Sequence, residues 1–185
     1  MDWNEFNVGF WHPFGSHASE SRDSILARKT REIQNNGWTL WSFQHRKTLE
    51  LWLNILMMQN PSRVFVLCSD SPGANDPNGQ VGLCSSFRFP GKEWEKIPQS
   101  ISVPHPFRSN PHASAFRVKN VLKSMTLKGS PSFTIEWYST QDANWRTDML
   151  PTRGEYLIRR GNGGKIRRAY AVLELEYPYI AYLRR

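Results

Sequence analysis

The chain has 185 residues, 39% of them hydrophobic and 22% charged, with a formal net charge of +8 and a pI near 9.8. This length and balance fit one domain able to bury a core. They exclude a membrane-spanning chain, because no apolar run is long enough, and a disulfide scaffold, because there are only two cysteines. The excess of positive charge favours an anionic partner, nucleic acid before a membrane surface.

Residues 7–12 read as a first strand, ended by Pro13 and Gly15. A helix is predicted from about Glu20 to Asn35, capped by Ser19 or Ser21 and stopped by Asn35-Asn36-Gly37. Its apolar positions Ile25, Leu26 and Ile33 share one face. Trp38 to Phe43 is a short aromatic strand. Thr48 to Gln59 is a second helix, apolar on most sides and ended by Asn60-Pro61. Arg63 to Cys68 has the composition of a buried strand, and a turn-rich loop follows it. The polar N-terminus is read as lacking a secretory signal. Cys68 and Cys84 lie in apolar surroundings and are read as free thiols in a reducing cytoplasm.

The second half reads as β structure. Candidate strands are Val81 to Phe89, Ser114 to Leu122, Phe133 to Tyr138, Glu155 to Arg160, and Lys165 to Tyr177. The last two flank Gly161-Asn162-Gly163-Gly164, a hairpin signal. Residues 90–113, rich in Pro, Ser and His, form a long connection of the kind that often carries function. The expected architecture is a single α+β domain over residues 1–185. It is a small mixed β-barrel with two N-terminal helices packed against it and a C-terminal β-hairpin.

Several constellations point to chemistry. Eight tryptophans are more than a core of this size needs. Trp11, Trp38 and Trp41, beside Phe10 and Phe43, are candidates for a cage that stacks a base, at about 1–3 kcal/mol per base; the bland alternative places all of them in the core. Arg153, Arg159, Arg160, Lys165, Arg167 and Arg168 gather around the glycine turn with Glu155 the one acid among them. Arginine forks phosphate in two-point contacts, so this hairpin is expected to track a nucleic-acid backbone. Its bland alternative is a charged edge that blocks aggregation. His17-Ala18-Ser19 and His112-Ala113-Ser114 offer a pair of histidines that could act as base and acid on a phosphate. His12 and His17 with Glu20 or Asp23 match no zinc spacing, and no metal or cofactor is expected. Lys29 and Glu32 lie on the first helix, where a solvated face of mixed charge is the default.

One segment carries a resemblance. Ala27-Arg28-Lys29-Thr30-Arg31-Glu32-Ile33-Gln34 resembles the Gly-x-Lys-x-x-Glu-x-Arg motif of ASCH domains, in the PUA-like superfamily. Lys29 and Glu32 match, while Ala27 replaces the glycine and Gln34 the arginine. The order of elements over residues 5–125 also resembles ASCH, EVE and YTH barrels. The resemblance implies RNA binding, or recognition of a modified base in an aromatic pocket walled by Trp11, Trp38 and Trp41. In the hydrolase branch of the family it implies Lys29 and Glu32 as the working residues.

The resulting expectation is a nucleic-acid-binding domain, for DNA or RNA, that holds a modified or flipped base. A small hydrolase, phosphoesterase or nuclease acting on nucleic acid or nucleosides is the alternative. A protein-binding accessory module is the third reading, favoured by a flat exposed tryptophan patch.

Overall fold

The computed structural model describes residues 6–15, 17, 20–44, 47–70, 82–105, 112–123, 134–151, 154–165 and 169–185, and of Asp70, Lys123, Gly164 and Lys165 the backbone alone. The elements are β1 (Val8–Phe14), α1 (Arg22–Asn36), β2 (Thr39–Gln44), α2 (Leu49–Met58), β3 (Phe65–Asp70), β4 (Ser86–Arg88), β5 (Glu95–Lys96), β6 (Ala113–Lys123), β7 (Thr134–Ser139), β8 (Asn144–Arg146), β9 (Tyr156–Lys165) and β10 (Ala171–Arg184). The strands join in one open ten-stranded sheet, in the order β2-β6-β10-β3-β1-β9-β7-β8, with β4 on β10 and β5 on β4. Among these strands only β1 and β3 run parallel; the other pairings are antiparallel. Neither described helix is long and apolar enough to cross a membrane.

Local chemistry sets both helices. Ser21 sits in extended backbone, and its hydroxyl accepts the Ser24 N–H, capping α1. Gly37, at φ 80°, takes the left-handed position and donates its N–H to the Ile33 carbonyl. In α2, Leu49, Trp52 and Leu56 turn one stripe into the core. Asn60-Pro61 follows immediately.

The sheet is strongly coiled. Strands lie about 4.8 Å apart, so β1 and β6, three steps away from each other, would be roughly 14 Å apart in a flat sheet. Yet the Phe10 and Phe116 rings are 5.2 Å apart, and Phe14 of β1 lies 5.0 Å from Trp41 of β2. The concave face thus closes over a core of Phe10, Phe14, Trp41, Phe43 and Phe116, into which α1 sends Ile25 and Leu26 and α2 sends Trp52. The convex face carries two further clusters. One lies under β1, β3, β7 and β9, and the other lies under β2, β4, β6 and β10 with Ile101 and Val103.

Four strand expectations are corrected. β1 runs through Pro13, which pairs with Ser69 of β3. The β9 pairing of β1 stops at Trp11, so the proline sits where β1 has become an edge. The stretch 81–89 forms a strand only at Ser86–Arg88.

The glycine run is not a hairpin turn. β9 continues through it to Lys165, and β9 and β10 are separated in the sheet by β1 and β3. The glycines answer a close approach instead. A Cβ at Gly161 would strike the Glu136 side chain, and one at Gly163 would strike the Ile135 carbonyl. Finally, β10 does not end near Tyr177 but resumes at Ile180 after a register break and pairs as far as Leu183 with β6.

Candidate nucleic-acid interface

The helical repeat of about 100° per residue puts positions 25, 29 and 32 of α1 on one face. That face is buried, and it takes Lys29 and Glu32 in with it, both under 5% exposed. Lys29 Nζ donates to Glu32 Oε2 at 2.8 Å, to Thr39 Oγ1 at 3.3 Å and to the Ser102 carbonyl at 2.8 Å. Glu32 accepts from the Thr39 hydroxyl, from Arg28 Nη1 at 3.1 Å and from the Ser102 N–H at 3.1 Å. Arg28 donates onward to both oxygens of Glu20 and to the Ser102 carbonyl.

Burial pushes the Lys29 ammonium down to about 8, against the pull of Glu32. Burial alone would raise the Glu32 carboxyl. The Lys29 charge, with the hydrogen bonds from Lys29, Thr39 and Ser102, outweighs it and leaves that carboxyl below its usual range. The solvated helix face expected at these residues is therefore a buried clasp. It fastens α1 to β2 and to the connection around Ser102. The three hydrogens of the Lys29 ammonium are matched by three acceptors within the chain.

The histidines divide. His12, on the concave face, accepts from Trp41 Nε1 at 3.3 Å on Nε2 and contacts Glu155 Oε1 at 3.2 Å through Nδ1. Both ring nitrogens are thus in use within the fold. His17 makes a backbone bridge with Glu20, and its Nε2 is enclosed with no hydrogen-bond partner among the described residues. His112 is exposed just before β6. Among the described residues no three His, Cys, Asp or Glu side chains converge as a metal site would require. Cys68 and Cys84 are buried and unbonded to each other.

The three tryptophans expected to wall one pocket go to three separate clusters. Trp41 is in the concave core. Trp11, its neighbour His12 pointing the other way, packs on the convex cluster of Phe65 and Ile158. Trp38 packs on the third cluster, 5.7 Å from Phe87. Alternation turns Trp41 to the concave face, and the three strands between β1 and β2 part Trp11 from Trp38 on the convex one.

The arginine cluster is described in part. Arg153, Arg167 and Arg168, and the side chain of Lys165, lie outside the described residues. Arg159 stands directly across from Glu136 on β7. It donates to Glu136 Oε2 at 2.7 Å and lies over Trp145, so its charge is matched within the fold. Arg160 points the other way and is exposed, with no ion-pair partner among the described residues.

A second cationic surface lies at the edge made by β5, β4 and the end of β10. Phe87 and Leu183 face inward. By alternation Arg88 and Tyr182, paired across the strands, face the opposite side, as does Arg184. Glu95 pairs with Phe87, which brings Trp94 level with Arg88. Arg88 therefore lies between two rings, 5.1 Å from Tyr182 and 5.3 Å from Trp94. Arg184 lies over the same Trp94 at 4.5 Å. Among the described residues neither arginine has a carboxylate partner, and Arg88 Nε is buried without a hydrogen bond. Tyr182 donates its hydroxyl to Glu50 of α2 at 2.9 Å. Burial and that carboxylate push its phenol up to about 12, so it stays neutral. The sequence signal here was weak, because Arg88, Trp94 and Arg184 are far apart in the chain.

No protein-family model, curated protein or solved structure matches this chain.

Proposed function

We propose that the protein binds nucleic acid, with the edge formed by Arg88, Trp94, Tyr182 and Arg184 as its main contact surface and Arg160 as a further phosphate contact. The observation that carries this reading is the pair of arginines held on Trp94, neither in an ion pair with a carboxylate among the described residues. Trp94 supports both guanidinium groups, Arg184 is exposed to a phosphate and Arg88 is half-buried beside it, and the net charge of +8 draws the polyanion in. Two features support kinship with PUA-like barrels as part of the same reading. Lys29 and Glu32, the motif residues that match, meet on the buried face of α1, and the sheet coils tightly around its concave core. Buried, unpaired Cys68 and Cys84 fit a reducing cytoplasm.

The test is fluorescence anisotropy with labelled oligonucleotides across a salt series. Arg88→Ala with Arg184→Ala is expected to weaken binding at least about tenfold. It should also flatten the slope of log affinity against log salt by roughly 1.4–1.8, two phosphate contacts' worth. An unchanged slope would overturn the assignment.

A further inference from the structure

β10 is broken in the middle. Leu175 pairs with Val118 and Ile180 with Phe116, so Glu176, Tyr177, Pro178 and Tyr179 all bulge out opposite the single residue Arg117. Tyr179 holds φ 69°, a left-handed conformation that is costly for a bulky aromatic. Backbone strain of this kind persists only where the surroundings impose it, and here they do. Arg117 Nη1 donates to the Tyr177 carbonyl at 3.1 Å, and Arg117 Nη2 pairs with Glu176 at 2.9 Å. The Arg117 guanidinium is itself braced over Trp38 and Phe89. The Tyr179 ring packs on the concave core and meets the Tyr177 ring edge-on at 5.6 Å.

The product of these restraints is one ring, Tyr177, that is 64% exposed yet held from below. The ring is open to solvent while Arg117 pins the backbone beneath it. Tyr177 also lies on the same strand as Tyr182, five residues along. That is at most about 17 Å of chain, well within the groove that tracks 4–16 nucleotides in single-strand binders, to quote roughly the range they span.

We infer that Tyr177 is a stacking post for an unpaired nucleobase, so that the ligand of the arginine edge is a single strand rather than a duplex. This rests on the nucleic-acid reading above and narrows it. In a duplex the faces of the bases are covered by their neighbours and a protruding ring finds only edges and backbone. In a single strand every base offers a face, whatever its identity.

The experiment compares a single strand of about 15 nucleotides carrying 5-iodouracil with the blunt duplex of the same sequence. Wild type, Tyr177→Leu, Tyr177→Phe and the Arg88→Ala with Arg184→Ala variant are measured at low salt, with thermal unfolding of each as the fold control. The expected result is preference for the single strand and about a fivefold or greater loss for Tyr177→Leu, the low end for one stacked base. Tyr177→Phe should bind as wild type, and the photocrosslink should map to the peptide that contains Tyr177. If duplex and single strand bind alike, or Tyr177→Leu binds as wild type while the arginine variant is weakened, the stacking post is wrong and nucleic-acid binding stands. If wild type binds neither, both readings fall.

Discussion

Two charged regions of this molecule use similar residues to opposite ends. At α1, Arg28, Lys29, Glu20 and Glu32 are interlocked, with Lys29 and Glu32 buried and their bonding capacity met by the chain itself. At the β4–β5–β10 edge, Arg88 and Arg184 rest on Trp94 with no carboxylate among the described residues. The difference is what surrounds the cation. A buried ammonium needs an anion, because desolvation is otherwise prohibitive. A guanidinium half in water is satisfied by a ring face below and solvent above, and it can exchange that solvent for phosphate. Charge count alone does not separate a clasp from an interface.

The comparison breaks most visibly at the clasp. Lys29→Met takes from the buried Glu32 the closer of its two cations and is expected to cost about 3–5 kcal/mol in urea unfolding. The value should fall toward the lower end because Arg28 still reaches Glu32. Adding Glu32→Leu should recover most of the loss, since no unpaired buried charge then remains. A single variant as stable as wild type would mean the clasp carries no stability.

The pH profile comes next in size. Glu32 titrates below its ordinary 4.5 in the folded chain, so its contribution is present above that value and is lost as the pH falls through the folded value. Lys29 runs the other way. Its folded value of about 8 lies below the ordinary 10.5. The unfolded chain therefore binds more protons between those values, and stability contributed by this group rises with pH across that window. Urea midpoints of wild type against Lys29→Met with Glu32→Leu should differ in slope in both windows, and parallel curves would contradict the assignment.

The smallest effect sharpens the cationic side. Arg160→Ala should weaken oligonucleotide binding and flatten the salt slope by about 0.7–0.9. Arg159→Ala should do less, because Glu136 already offsets that charge. Equal losses would show that the cross-strand pair opens on binding.

Much of the fold is legible in the residues. Ser21, Gly37 and Asn60-Pro61 mark the helix ends within a residue or two. Arg63 to Cys68 reads as a buried strand, and Val64 to Cys68 are fully buried, with β3 starting at Phe65. What local pattern does not show is pairing. Gly161-Asn162-Gly163-Gly164 has the chemistry of a turn. Its strand instead pairs with β1 and β7, and the glycines are demanded by Glu136 and Ile135 from another strand. Lys29 and Glu32 have the look of a solvated helix face, and only the distant Thr39 and Ser102 make their burial affordable in hydrogen bonds. Trp11, Trp38 and Trp41 share a wall only if β1 and β2 are neighbours; β3, β10 and β6 stand between those strands, and alternation turns Trp41 to the other face. Arg88, Trp94 and Arg184 are brought together only by the pairing of β4 with β5 and β10.

The position of β10 has a consequence for how the molecule comes to exist. It pairs with β3, β4 and β6, and each of those strands is synthesised before it. Until residues 171–184 emerge, β3 lacks its neighbour on one side and β6 joins only β2, leaving apolar edges open to other chains. Folding cannot condense from the N-terminus forward; it waits for contacts of long sequence separation, which close slowly. The strand that bears the tyrosine bulge and half of the arginine edge thus also completes the sheet. Until β10 pairs, the free edges of β3 and β6 are the places where an incomplete chain would associate with others.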